Sequence, residues 1–367
     1  MEDLLLGLKS LSVQNIIMFI IGGILIYLAI EKEYEPMLLL PIGFGAILAN
    51  IPLSSAVGQD GFLTLLFKAG ILTELFPILI FIAVGAMIDF KPLLKQPFML
   101  FFGAAAQFGI FFTMSMAALL GFSLKESASI GIIGAADGPT SIYVATKFAR
   151  HLLAPISVAA YSYMALVPII QPPVIKLLTT PAERKIRMKP NFDVPISRTV
   201  EILFPITVTI IAGIIAPISV ALVGSLMFGN LIRVSGVLDR LTKAAQNELA
   251  NLVTLLLGIT IGSTMSAEQF LNPKTLLIIA MGLVAFIFDT AGGVIFAKIL
   301  NLFLKEKVNP MIGAAGISAF PMSARVIQKI AQKEDPSNFI LMQAVGANVA
   351  GQIGSIIAGS LVLLLVK

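Results

Sequence analysis

Ten predominantly apolar stretches follow one another along the chain, at residues 15–30, 37–53, 71–88, 98–122, 152–178, 200–215, 217–232, 250–265, 275–304 and 339–366. A bilayer's hydrocarbon core is about 30 Å thick, and a helix rising about 1.5 Å per residue crosses it in roughly 20 residues. Inside that core each peptide group must find its hydrogen bond within the protein, so runs of this length and polarity read as helices. The series predicts an all-α polytopic membrane protein. Composition agrees where it discriminates: 12% of the 367 residues are charged and 57% are hydrophobic, whereas a soluble domain carries about a quarter charged residues. The net charge of +5 sits largely in connecting segments and reads as topology rather than as affinity for nucleic acid. With no Cys in the chain, disulfide frameworks, thiolate nucleophiles and iron–sulfur clusters are excluded. The first apolar run follows residues of both charge signs and lacks a small-residue cleavage site, so it is expected to be a retained span rather than a signal peptide.

Two segments, 127–150 and 308–333, are too interrupted to be simple spans. Each has an apolar arm, a break rich in Gly or Pro, and a second arm. Both read as re-entrant hairpins, and irregular backbone at membrane depth is tolerated only against protein or a watery cavity, so the pair points to a binding site. The stretch 179–198 is polar and holds Arg184, Lys185, Arg187, Lys189 and Arg198 against Glu183 and Asp193. It reads as a linker, placed in the cytoplasm by the positive-inside rule. The expected division is an N-terminal span and connection (1–36), a first membrane repeat (37–178), the linker, and a second repeat (199–367).

The repeat rests on landmarks in the same order at separations of roughly 180 residues. Gly45 in Phe44-Gly45-Ala46 falls opposite Gly229 in Phe228-Gly229-Asn230, and Gly85 falls opposite Gly262. Ile133-Gly134-Ala135-Ala136 falls opposite Ile312-Gly313-Ala314-Ala315, and Gln171 opposite Gln352. An odd number of crossings per half relates the halves by inverted topology, as in elevator-like transporters in which one unit carrying both hairpins moves against a scaffold.

The first break reads Gly134-Ala135-Ala136-Asp137-Gly138-Pro139-Thr140. A carboxylate within a membrane segment costs a few kcal/mol and usually marks an ion or proton path. Gly138 and Pro139 stop the preceding helix and free carbonyls, which with Asp137, Thr140 and Ser141 give an oxygen-rich nest suited to a hard cation such as Na+. Asp-Gly-Pro is equally ordinary turn chemistry, and a helix cap at an aqueous interface is the alternative. The second break has no acid. It offers Asn309, Ser318 and free carbonyls, followed by Arg325, whose guanidinium either holds an anionic substrate group or snorkels to the interface. Asp289, mid-span, either joins a relay or pairs with a Lys. Glu74 and Glu201 read as negative residues at helix starts, and the lone His151 as interfacial rather than as a metal ligand.

These motifs, together with Phe228-Gly229-Asn230-Leu231 and Asp289-Thr290-Ala291-Gly292-Gly293, resemble the beta subunits of the sodium-pumping, biotin-dependent decarboxylases that act on oxaloacetate, methylmalonyl-CoA, glutaconyl-CoA or malonate. The resemblance covers nearly the whole chain. It implies a membrane subunit that takes carboxybiotin from a partner, releases CO2, consumes a proton and exports Na+. It further implies that Asp137 is a Na+ ligand and that Tyr163, Asn309, Gly313, Ser318 and Arg325 are functionally important. From these we expect Na+ at Asp137, Thr140, Asn309 and Ser318, and carboxybiotin at Arg325, Asn309 and Gly313. Tyr163 and Ser318 are then candidates for relaying the proton. Met188-Lys189-Pro190 is not the Met-Lys-Met of a biotinylated lysine, so biotin is expected on another chain. Partners implied are biotin-carrier and carboxyltransferase subunits, a small membrane-anchor subunit and further copies of this chain, in the inner membrane. A Na+-coupled secondary transporter of a carboxylate solute is the rival with the same architecture.

Overall fold

The computed structural model describes residues 6–188 and 195–366. Lys189 and Asp193 of the linker, and with Lys189 the centre of the tripeptide read above, lie outside the described residues. Regular structure among the described residues is helical throughout. In chain order the main helices are α1 (Val13–Glu31), α2 (Pro36–Asn50), α3 (Phe62–Ile71), α4 (Leu75–Met87), α5 (Leu100–Ala106), α6 (Phe108–Leu119), α7 (Leu124–Gly131) and α8 (Gly138–Phe148). They continue as α9 (Leu153–Ala165), α10 (Val167–Leu178), α11 (Arg198–Ile215), α12 (Val220–Ser235), α13 (Asp239–Ser263), α14 (Pro273–Leu300), α15 (Met322–Glu334) and α16 (Leu341–Leu365). Among the described residues seven helical stretches are long and apolar enough to cross a membrane, or nine if each of two bent pairs counts as one span.

The bends are where the apolar runs misled. The stretch 71–88 belongs to a pair, α3 and α4, bent by 62°; Glu74 sits between them at φ 65, a left-handed conformation that cannot continue a helix. The stretch 152–178 is likewise bent by 68° between α9 and α10. Pro168, the second residue of α10, lacks an N–H, and its ring would clash with the carbonyl four residues earlier in a continuous helix.

The helices pack as two groups. In one, α1 lies on α2, α2 on α13, α13 on α4 and α4 on α12, with α11 against α12. The decisive contacts are backbone to backbone: a Cβ added at Gly45 would lie 2.2 Å from the Ile259 carbonyl oxygen, and one at Gly262 would lie 2.1 Å from that of Ile42. At the crossing of α4 and α12 a Cβ at Gly85 or at Gly229 would come within 1.9 Å of the Leu226 or Ile82 carbonyl oxygen. Small residues thus set how closely these helices approach. The second group surrounds α14, which packs on α5, α6, α9 and α10, while α16 packs on α5 and α15.

Both interrupted segments belong to the second group. The first is α7, a tight turn (Ile132–Ala135), and α8; the second is a short helix (Met311–Ala314), a break, and α15. The two breaks meet, because the Ser318 N–H donates to the Ala135 carbonyl at 3.1 Å. Linker residues are stapled to this group, Arg184 to Glu334 at 2.7 Å, Arg187 to Asp335 at 2.7 Å and Glu183 to Lys298 at 3.2 Å. His151 pairs with Glu126 at 2.9 Å, Glu74 with Lys147 at 2.7 Å, and Glu201 with Lys91 at 3.3 Å.

Candidate cation site where the helix breaks meet

Asp137 is the N-cap of α8. Ala136 before it takes a left-handed turn (φ 52), and Gly138 and Pro139 occupy the first two helical positions, where a missing N–H costs nothing. Asp137 Oδ1 accepts the Thr140 N–H at 3.2 Å, the ordinary capping bond. The second oxygen departs from turn chemistry. Oδ2 accepts the hydroxyl of Thr140 at 2.7 Å and that of Ser355, 218 residues away on α16, at 2.8 Å. The side chain is 4% exposed. Among the described residues no Lys, Arg or His forms an ion pair with it, whereas Glu74, Glu126, Glu183, Glu201, Glu334 and Asp335 are all paired. Asp137 is a cap and also a buried carboxylate for which the described residues supply no counter-charge.

The carboxylate borders a cavity of about 260 Å³ shared with Ser318, Phe320, Tyr161, Gln352 and Glu35. Ser318 thus lines the same cavity as Asp137, and its hydroxyl donates to the Gly351 carbonyl at 2.9 Å. Gln352 donates to the Ser318 carbonyl. Asn348 donates to the carbonyls of Ala315 (3.1 Å) and Ile317 (2.6 Å), and its own buried amide oxygen has no partner among the described residues. The groups gathered at Asp137 are a carboxylate and the hydroxyls of Thr140 and Ser355, the chemistry of a hard cation.

Other expected residues are arranged differently. Asn309 is fully buried, but its side chain donates to the linker carbonyls of Arg184 and Ile186, both at 2.9 Å, and accepts from the Met311 N–H at 3.1 Å. It holds the linker against the second break. The Tyr163 hydroxyl donates to the Ile279 carbonyl at 2.5 Å. Two residues earlier, Tyr161 lays its ring over Gly138, where a Cβ would meet it at 2.3 Å, and its buried hydroxyl has no partner among the described residues. Gly313 and Gly293 are in backbone contact, fixing the short helix against α14. Arg325 is exposed on the first turn of α15. Its guanidinium is electrostatically coupled to Glu35, which caps α2 from the connection with α1; burial pushes the Glu35 carboxyl above the usual range, and Arg325 pulls it partway back. Asp289 forms no ion pair with a Lys among the described residues. It abuts Gly109 at the first turn of α6, with the N–H groups of Gly109 and Ile110 facing it short of full hydrogen-bond geometry.

Ser355, Tyr161, Asn348 and Glu35 were not read from sequence as site residues. A signal existed for two: Asn348, Gln352 and Ser355 recur at helical spacing on one face of an apolar span. Glu35 gave none, being one of several acids in a polar connection.

Comparison with known proteins follows the same lines. Residues 14–366 match the family described as the Na+-transporting oxaloacetate decarboxylase beta subunit. The chain is 52% identical to the methylmalonyl-CoA decarboxylase subunit beta of Veillonella parvula, covering 97% of this chain and 94% of that one. It is 51% identical to the glutaconyl-CoA decarboxylase subunit beta of Acidaminococcus fermentans (98% and 95% covered). With the oxaloacetate decarboxylase beta chain of Klebsiella pneumoniae the identity is 43% (98% and 96% covered). Matched over nearly its whole length, the chain belongs to the family of Na+-transporting decarboxylase beta subunits.

Proposed function

We propose that this chain decarboxylates carboxybiotin, delivered on a separate carrier subunit, and couples that step to outward movement of Na+ through the site at Asp137. The carrying observation is the buried carboxylate at the meeting point of two helix breaks, hydrogen-bonded by Thr140 and Ser355 and without a protein counter-charge among the described residues. A permanently uncompensated buried charge is too costly to persist, so the carboxyl is neutralised by a proton or by a cation from solution, and the hydroxyls around it suit an exchange between the two. Asp137 and Thr140 supply the cation's oxygens, with Ser355 as a further donor; Na+ here is the transported cargo. Asn309, expected among the ligands, acts in this reading by fixing the linker and the second break. Family membership favours this function over the Na+-coupled carboxylate symporter.

Chemically, decarboxylation breaks the bond between the carboxyl carbon and the ureido nitrogen, releases CO2, and leaves the electron pair on nitrogen, where one proton must be added. Tyr161 and Ser318 line the cavity, Ser318 with its O–H donated to the Gly351 carbonyl, and Tyr163 has its hydroxyl held by Ile279. Arg325 anchors the anionic head at the cavity mouth. Higher identity to the acyl-CoA decarboxylase relatives (51–52%) than to the oxaloacetate relative (43%) favours an acyl-CoA as the source of the carboxyl group. The carrier, carboxyltransferase and small anchor subunits, a homo-oligomer, and residence in the inner membrane complete the reading.

Two glycine crossings support the inverted repeat. Exchanging Gly45 with Gly229 and Gly262 with Gly85 converts the α2–α13 contact into the α12–α4 contact, as a pseudo-two-fold axis requires. The group carrying both breaks then moves against the other in elevator fashion. The test is reconstitution of the chain in vesicles, followed by radioactive Na+ uptake on adding carboxybiotin. Uptake that tracks CO2 release is expected in the wild type and absent in Asp137→Asn; uptake in that variant would remove Asp137 from the path.

A further inference from the structure

α15 has one buried and one exposed side. Ser323, Ala324, Val326, Ile327, Ile330 and Ala331 are buried, and Arg325, Lys329, Gln332 and Lys333 are exposed. The three cations recur every fourth residue, so they form a stripe with steps of about 6 Å from the helix break toward the linker end. Like charges at this spacing repel and destabilise a helix. Across from them Lys176, in the last turn of α10, faces the same groove, about 390 Å³ in volume, with Pro168, Pro172 and Val326 as its apolar floor. Glu334 also borders the groove, but Arg184 engages its carboxylate at 2.7 Å. Among the described residues no acid forms an ion pair with Lys176, Lys329 or Lys333.

The stripe has a direction. Lys333 lies beside the linker, Lys329 one turn inward, and Arg325 a turn further, coupled to Glu35 at the cavity that holds Asp137 and Ser318. We propose that Lys176, Lys329 and Lys333 form an outer capture site for the anionic head of carboxybiotin, which passes from there along α15 to Arg325. This rests on the carboxybiotin reading above. The ligand pairs a carboxylate with an apolar bicycle and aliphatic chain, which suits ammonium groups above a Pro and Val floor. Lys presents a rotatable point charge, whereas Arg makes a rigid bidentate fork, so a Lys-to-Arg order gives loose capture followed by firm anchoring. An anionic phospholipid headgroup would satisfy the same charges. The exposed side of α15 argues against it, because Arg325, Lys329, Gln332 and Lys333 offer nothing for acyl chains to cover.

The test uses the full chain reconstituted in zwitterionic and in anionic vesicles, with N-carboxybiotin as substrate. Two unit charges about 10 Å apart in water interact by roughly a factor of two in affinity each. The double variant Lys329→Gln/Lys333→Gln is therefore expected to raise KM about fourfold in both vesicle types. The turnover number should stay unchanged and the salt dependence of KM should flatten. Lys329→Glu/Lys333→Glu should raise KM further, which separates charge from packing. An unchanged KM in an active variant overturns the capture site and leaves the decarboxylase reading intact. A KM effect seen only in anionic vesicles assigns the lysines to lipid and also overturns it. A wild-type chain that releases no CO2 from carboxybiotin overturns both.

Discussion

The Ser355 hydroxyl offers the most direct test of how the acid is held. Ser355 donates to Asp137 Oδ2 at 2.8 Å from the opposite half of the chain, while Thr140 contributes both its N–H and its hydroxyl from the same turn. A hydrogen bond to a charged acceptor contributes about 1.5–3 kcal/mol, and roughly 1.4 kcal/mol is tenfold in binding. Ser355→Ala is therefore expected to raise the Na+ dissociation constant between about 10- and 100-fold. Asp137→Asn removes the charge itself, and breaking a buried charge pair costs about 3–5 kcal/mol, some hundreds- to thousands-fold. In the Asn background the same Ser deletion removes only a neutral bond, worth about 0.5–1.5 kcal/mol. The two changes must then be non-additive by about 1 kcal/mol or more, as contacting residues are. The assay is Na+-dependent thermal stabilisation of the purified chain, which reads binding without turnover because a ligand of the folded state raises the midpoint with its concentration. A shift below threefold for Ser355→Ala, or an equal shift in both backgrounds, would refute the direct bond as the means of orientation.

Burial holds the Glu35 carboxyl above its usual range, so it takes up its proton at a higher pH than an exposed Glu does; losing that negative charge beside Arg325 should lower KM for carboxybiotin as pH falls. Glu35→Gln should show the low KM at all pH values, and a retained acid limb would remove Glu35 from the cause. Asn309→Ala leaves two linker carbonyls without their Asn309 donor, although Asn338 also reaches them at 3.3 Å, so a loss of about 1–3 kcal/mol is expected in denaturation of the detergent-solubilised chain. Gly229→Ala places a methyl group 1.9 Å from the Ile82 oxygen and should abolish accumulation of folded protein in the membrane, whereas Gly23→Ala, where nothing lies within 4 Å, should leave it unchanged.

The apolar runs located the spans because bilayer thickness imposes a length that composition alone reveals. They located the bends poorly. A proline such as Pro168 or an acid such as Glu74 in an apolar run is tolerated by a continuous helix at one position and not at another, depending on what the neighbouring helices supply. The acid at Asp137 was legible because its cost in a membrane has few bland explanations, and Ser318 because the second break demanded a polar function. Ser355 lay within an apolar helix whose polar face is visible only as the spacing of Asn348, Gln352 and Ser355. Asn309 shows the opposite limit. Its residue type suited a ligand, yet its amide is committed to the linker backbone, an assignment that depends on tertiary distance rather than on local pattern.

The two breaks solve one physical problem by different means. Unwound backbone away from water has carbonyls that need donors. In the second break long amides from other helices supply them: Gln171 reaches Ala314, Asn348 reaches Ala315 and Ile317, and Gln352 reaches Ser318. In the first break the segment's own hydroxyl does so, Ser141 donating to the carbonyls of Asp137 at 2.8 Å and Ile132 at 3.4 Å. The first break can therefore carry the charge on a self-contained turn, while the second serves as a neutral frame tied to α10 and α16. A cation arriving at Asp137 meets a carboxylate whose geometry is set from both sides at once, by Thr140 within the turn and by Ser355 from the helix that also clamps the frame. In the proposed reading, loss of the cation removes the counter-charge two residues from the Ser318–Ala135 bond that joins the two breaks. On that reading the occupancy of the site and the packing of the breaks form a single equilibrium rather than two.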